Sequence, residues 1–365
     1  MRRLAVAAIV MVAATGAPAH ADGVWKMATP AWSWPRGGFL DVAATATNDV
    51  WAVGFQGEVC TWTISTTGGV PVPVKNCLLE RKPAIQRWNG TTWTRYGPGP
   101  WASGTGEVGR VFAFGPGDVY LAGRSQSRGA TVVRWDGRAF QTLPDVPPDC
   151  ASGTYERDAT AVWAIGTAAL CRFDGAAWNR VSPPDPGGSF TSRSFGIGPG
   201  GLWAVRTVSG SVQALTRWTG TVWSDAATIA TEPGHAFAGI SPLGGDDVWF
   251  AHLKPVTSTG WGGLDWTHWD GTSVTATPSR SPQDDIRFTT DDTGRPLAYR
   301  GWAERWAFDG SAWTPVPAEV PSNFPAGYKP NKVARVPGTL VKWVVGEGYE
   351  WVALPKTDPV VMSSE

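Results

Sequence analysis

Residues Asp49–Phe55 read DVWAVGF, a short apolar run led by aspartate and carrying one tryptophan. The chain writes it again as DVYLAGR (Asp118–Arg124), AVWAIGT (Ala161–Thr167), GLWAVRT (Gly201–Thr207) and DVWFAHL (Asp247–Leu253), and more weakly as RPLAYRG (Arg295–Gly301) and VKWVVGE (Val341–Glu347). Runs of this length and composition between turn-forming residues read as strands. The anchors Trp51, Tyr120, Trp163, Trp203, Trp249, Leu297 and Trp343 stand about 40 to 48 residues apart, after a first interval of about 69. Self-similarity at this period means one supersecondary unit used repeatedly.

Each copy follows a short apolar run and a turn, such as RVFAFGPG (Arg110–Gly117). Six copies lead to an aromatic-ended strand, a turn and another strand. The turns are Asn89-Gly90, Asp136-Gly137, Asp174-Gly175, Thr219-Gly220, Asp270-Gly271 and Asp309-Gly310, and the aromatics beyond are Trp93, Phe140, Trp178, Trp223 and Trp313, with Val274 in the fifth copy. Asx-Gly at a strand reversal predicts a two-residue type I′ hairpin. Four strands per repeat at this period describe a blade, so the sequence predicts an all-β, seven-bladed β-propeller of four-stranded antiparallel blades. The seventh copy lacks its last hairpin. DGVWKMATP at 22–30 matches DGSAWTPVP at Asp309 with one residue deleted, which predicts that the N-terminal strand closes the last blade.

The chain resembles the tryptophan-rich propeller repeats of secreted bacterial proteins, of the type DVWAVG … RWDGTTW. A fainter likeness is to the Asp-box turn of sialidase-type propellers, without its serine or spacing, so no activity follows from it. The resemblance implies the fold over nearly all of the chain beyond residue 21.

Residues 1–21 read as a secretory signal: Arg2 and Arg3, an apolar run from Leu4 to Ala14, and Ala19-His20-Ala21 as cleavage site. A secreted, extracellular protein is expected. No later run is long and apolar enough to span a bilayer. Without Arg2 and Arg3 the 31 basic and 31 acidic residues leave a net charge of about −2, which argues against a nucleic-acid partner. In an oxidising compartment four cysteines read as disulfides, and proximity favours Cys60–Cys77 and Cys150–Cys171. No C-x-x-C pair points to zinc. Residues 22–365 carry no linker and read as one propeller domain, expected to be a monomer.

Ligands of propellers meet the end where the innermost strands begin, a concave site by default. Counting back from the anchors places Asp41, Arg110, Gly153, Arg193, His235, Asp285 or Arg287, and Asn331 or Lys332 around it, with Glu107, Glu156 and Asp158 nearby. Arg110, Arg193 and Arg287 suit a carboxylate or sulfate; Asp41, Asp285, His235 and Glu156 are the candidate proton carriers. Mixed charge also suits any water-filled channel. His235, His252 and His268 fall on different strands of one repeat, and His268 occupies the slot held elsewhere by Arg87, Arg134, Arg172 and Arg217, so no metal site is expected. The recurring Arg-Trp pairs read as stacking within the fold.

Two segments break the repeat. Residues 58–80 read as an inserted hairpin in blade one, and Lys254–Trp266 lengthens the equivalent loop of blade five. Trp62, Trp261, Trp266 and Trp302 are candidate platforms for sugar rings. No nucleophile elbow, H-E-x-x-H, P-loop or EF-hand pattern occurs, and no cofactor is expected. These features predict a binding module for an extracellular carbohydrate or surface protein. A polysaccharide hydrolase or lyase acting on an anionic glycan is the alternative.

Overall fold

The computed structural model describes residues 25–364 apart from 31–36, 102–105, 186–193, 231–235, 254–263, 278–286, 291–294 and shorter breaks of one to three residues. The expected signal at 1–21 lies outside the described residues, as do Gly153, Arg193, His235, Trp261, Asp285 and Trp302.

All the described regular structure is strand, save one 3₁₀ turn at Gly99–Trp101. Repeat two shows the unit: Gly106–Gly115, Asp118–Ser125, Gly129–Trp135 and Phe140–Thr142 pair in that order, each antiparallel to the next. Repeats three to six build equivalent four-stranded sheets, opening on Thr154–Arg157, Phe195–Gly198, Ala236–Gly244 and Arg287–Thr290. Repeat one (Gly37–Ala46, Asp49–Gln56, Lys82–Trp88, Trp93–Tyr96) shares an eight-stranded sheet with repeat seven (Tyr328–Arg335, Lys342–Gly348, Pro359–Ser364, Trp25–Met27). The two halves meet at a single paired position, Gly38 with Glu347. A Cβ on Gly38 would stand 2.6 Å from that of Glu347, so only glycine lets the strands touch there. The segment near the N-terminus does pair where expected: Trp25–Met27 runs antiparallel to Met362–Ser364.

The first strands of successive sheets pack together, joining repeats one and two, three and four, four and five, five and six, and seven and one. This is the arrangement of a β-propeller, and its core lies between sheets. Trp51, Val53 and Ile85 of repeat one bury with Val108, Leu121 and Trp135 of repeat two. Trp203 and Leu215 of repeat four do so with Val248 and Trp269 of repeat five.

One contact recurs among the tryptophans. In repeats one, two, four and five the anchor of the second strand lies against aromatics that flank the hairpin of the following repeat: Trp51 on Trp135 at 5.6 Å between centroids, Tyr120 on Phe173 at 6.2 Å, Trp203 on Trp269 at 4.9 Å, Trp249 on Trp313 at 5.2 Å. Trp343 of repeat seven meets Trp88 and Trp93 of repeat one in the same way, at 5.7 and 5.5 Å. Such pairs add about 0.5–1.5 kcal/mol each beyond area burial. Indole N–H groups add a second link: Trp178 donates to the Pro144 carbonyl and Trp223 to that of Ser182, each reaching the preceding repeat.

The hairpins correct the sequence reading. Trp88 pairs directly with Trp93, so the loop holds the four residues Asn89 to Thr92 rather than two. The Asn89 N–H donates to the Thr92 carbonyl, and its side-chain oxygen accepts the N–H groups of Thr91 and Thr92. Asp136, Asp174, Asp270 and Asp309 do the same. Asx is therefore present as a backbone acceptor, while positive φ is taken by the glycines alone, for example Gly271 at 92°.

The Arg-Trp pairs are structural. Arg87 lies over Trp51, Arg134 over Tyr120, Arg172 over Trp163 and Arg217 over Trp203, with guanidinium-to-centroid distances of 5.3 to 6.0 Å. His268 takes the same slot, stacked on Trp249 at 4.3 Å with its Nε2 2.9 Å from Asp247.

Candidate functional site

The innermost strands carry a repeated irregularity. In repeats one, two, five and seven a bulge inserts Leu40, Gly109, Ala238 or Asn331, so that Asp41, Arg110, Gly239 and Lys332 oppose Val53, Ala122, Ala251 and Val345. A bulge bends its strand and re-aims the side chain beside it. The same register position falls on Thr154, Ser194 and Arg287 in repeats three, four and six. This position is held by Asp41 and Arg110 as the sequence reading placed them, and by one of its two alternatives, Arg287 and Lys332, in repeats six and seven. Gly153 and Arg193 are corrected by one residue, because repeats three and four lack the second bulge that repeats one, two and five carry before the turn. His235 is corrected to Gly239, since the spacing to the anchor in repeat five equals that in repeats one and two.

Asp41 is buried and employed in the fold. One carboxylate oxygen accepts the Val42 N–H at 3.0 Å and the other the Val111 N–H of the neighbouring repeat at 2.9 Å. Burial pushes its carboxyl up, while Lys332, Arg110 and those two N–H groups oppose the rise. One oxygen thus bonds within repeat one and the other ties repeat one to repeat two. Glu156 is half-buried on Thr154–Arg157, opposite Trp163. The other two proton carriers expected from sequence, His235 and Asp285, lie outside the described residues.

Beside Arg110 opens a cleft of about 710 Å³ between repeats two and three. It sits where first strands begin and second strands end, walled by Glu107 and Arg110 from one, Arg124 and Ser125 from the next, and Thr154 and Tyr155 across the gap. Glu107 is clamped at its rim. Its Oε2 accepts from Arg81 at 3.1 Å and its Oε1 from Arg124 at 3.0 Å, and Arg81 in turn covers the Phe55 ring at 4.0 Å. Arg110 makes no hydrogen bond or ion pair among the described residues; its neighbour in charge is Asp41. Tyr155 is buried, its hydroxyl has no partner among the described residues, and burial pushes it to about 12. It is a protonated donor at neutral pH.

Of the cleft residues, Arg81, Arg124 and Tyr155 were missed from sequence. The signal was present for Arg124, which faces Glu107 across the ladder, but only once the bulge at Gly109 is known.

Trp266 corrects the platform expectation. Leu264–Trp269 is the third strand of repeat five, and Trp266, opposite Ala251, is fully buried against Trp313 at 4.8 Å. It offers no ring to a ligand. Residues 59–79 do form the expected hairpin, Val59–Thr67 with Val70–Leu79, in which Cys60 lies directly opposite Cys77 and Trp62 opposite Lys75. Cys150 and Cys171 are bonded as expected.

No protein-family model and no curated protein matches the chain. Among solved structures it is similar to YCF48 bound to a D1 peptide, at 12% identity over 93% of this chain and 96% of that chain, with a TM-score of 0.48. It is also similar to the SapL1 lectin in complex with alpha methyl fucoside (14% identity, 80% of this chain, 98% of that chain, TM-score 0.37). A third is the six-bladed fucose-recognising lectin of Aleuria aurantia (13%, 80%, 99%, 0.35). Likeness at this level assigns this chain neither ligand nor activity.

Proposed function

We propose that the chain is a secreted, single-domain, seven-bladed β-propeller that binds an extracellular carbohydrate in the cleft between repeats two and three. The blade count rests on dividing the eight-stranded sheet at its single paired position, Gly38 with Glu347, into two blades of four. The observation that carries the binding site is the cleft itself. Its volume, 710 Å³, is that of a small-ligand site, it opens at the first-strand end of the sheets, and Arg110 stands in it without a hydrogen-bond partner among the described residues. Small apolar groups, Ala122, Ala130 and Ala151, share the wall with polar ones, a mixture that suits the C–H faces and hydroxyls of a sugar.

Binding without turnover is favoured over hydrolysis or elimination. Acid-base chemistry needs two ionisable groups converging on one bound atom, and Glu107, the acid of this cleft among the described residues, has both oxygens taken by arginine. The test is a glycan array run beside reducing-sugar release on the same polysaccharides. Retention on glycans without product is the expected result. Product formation would replace this reading with an enzymatic one, and absence of any glycan binding would remove it.

A further inference from the structure

We propose that the cleft is selective for acidic glycans, and that Arg110 grips the oxyanion of the bound sugar, a uronate carboxylate or a sulfate ester. This rests on the carbohydrate reading above and adds the chemical class of the ligand.

Charge comes first. Arg81, Arg110 and Arg124 line the cleft against one acid, Glu107. Glu107 is shared between Arg81 and Arg124, so that trio keeps one positive charge and its geometry is fixed. Beyond Arg110 stand exposed Lys332 and buried Asp41. Counting Asp41 as fully ionised, these six groups still leave a surplus of two positive charges. An anion entering the cleft meets an attractive field.

Hydrogen bonding comes second. A guanidinium presents five N–H donors in a planar fork that matches a carboxylate or sulfate edge. In Arg81 and Arg124 part of that fork is spent on Glu107. In Arg110 it is unspent among the described residues, since Asp41 directs its two oxygens to the N–H groups of Val42 and Val111.

The space beside Arg110 is also open. It follows Gly109, the bulge residue, where an added Cβ would meet nothing within 4 Å. The Gly109 φ lies outside the positive region that strains other residues. Nothing in the backbone demands glycine at 109, and its consequence is a stretch of cleft wall without a side chain next to Arg110 in the chain. Tyr155 lines the same cleft, and its hydroxyl, closed off from solvent, has no hydrogen-bond partner among the described residues.

The test is calorimetric titration of the purified chain with paired oligosaccharides at low salt. Oligogalacturonate is set against its methyl ester, and a chondroitin sulfate oligosaccharide against its desulfated form. Tighter binding of at least one acidic member, by about tenfold or more, is expected, and the pair that shows it tells uronate from sulfate. Arg110→Gln and Gly109→Leu are each expected to lose that margin while melting as the parent does. Equal affinity for acidic and neutral partners, or a margin that survives Arg110→Gln, would overturn the inference and leave carbohydrate binding standing. No binding to any of these or to the wider array, with or without capture of an acidic peptide, would overturn both.

Discussion

The Arg87 guanidinium donates its Nε–H to Asp49 at 2.7 Å and lies over the Trp51 ring between them in the same sheet. Asp49 and Trp51 come from the second strand and Arg87 from the third, so this trio locks the two strands in register. It recurs as Asp118, Tyr120 and Arg134, and again as Asp247, Trp249 and His268. In repeat three, where Ala161 replaces the leading acid, Asp158 approaches from the preceding turn and accepts the Trp163 indole N–H.

The Asp49 side chain is nearly buried, and Arg87 is a quarter exposed. Removing the cation therefore leaves a desolvated carboxylate without its partner. Arg87→Met is expected to cost about 1.5–3 kcal/mol in urea unfolding, the range for hydrogen bonds to charged groups. Pairing it with Asp49→Asn in a double-mutant cycle should recover part of that loss. Additive losses would show that the two residues do not interact.

Acid should weaken the hairpins. Backbone N–H groups hold Asp136, Asp174, Asp270 and Asp309 below the usual carboxylate range. A depressed native pKa contributes stability that is present above the unfolded value of about 3.9 and is lost as pH falls through the native one. The urea midpoint is thus expected to fall as pH drops from about 4 toward 2. Asn89 occupies the same slot without titrating, so replacing the four aspartates with asparagine should flatten the profile. An unchanged slope in that variant would refute the assignment.

Asp41 should behave differently. Each of its oxygens already accepts an N–H, so asparagine would turn an amide toward one of them, and alanine would abandon both. Asp41→Asn is expected to destabilise by about 1–3 kcal/mol and Asp41→Ala by more, read from denaturant unfolding. Parent-like stability of Asp41→Ala would show that the tie between repeats one and two is dispensable.

Both cysteine pairs should be covalent. Cys150 and Cys171 close a loop of 21 residues, a constraint of about 3 kcal/mol in the chain-entropy model, and Cys60 faces Cys77 across its hairpin. Non-reducing peptide mapping is expected to find these two linkages. Cys150→Ala with Cys171→Ala should lower the thermal midpoint, whereas Cys60→Ala with Cys77→Ala should leave it nearly unchanged, since that hairpin forms its own two-stranded sheet.

Deleting residues 22–30 removes Trp25–Met27, which pairs with Met362–Ser364 and whose Trp25 carbonyl accepts from Asn323. The shortened chain is expected to melt earlier and over a wider range by calorimetry. Melting indistinguishable from the parent would show that this strand is not a structural member of its sheet.

The repeat was legible because its aromatics are dictated by one contact, used between sheet after sheet. Trp51, Trp203, Trp249 and Trp343 are buried where the period placed them. The cleft was only half legible. Arg110 could be found by counting, whereas Tyr155 reads as one more core aromatic until its hydroxyl is seen to lack a partner. Trp266 was misread for the opposite reason: its segment looks like an inserted loop, yet pairing with His252, Ala251 and their neighbours draws it into the third strand.

The contact of Trp343 with Trp88 and Trp93 gives the molecule a sense of direction. Repeats one, two, four and five each set a ring against the next sheet, and repeat seven sets one against repeat one, so the contact also runs across the junction of the chain's two ends. Stacked linear repeats need specialised polar caps to end on. Here the terminal repeats can stay as greasy as the internal ones, provided that the chain's two ends find each other.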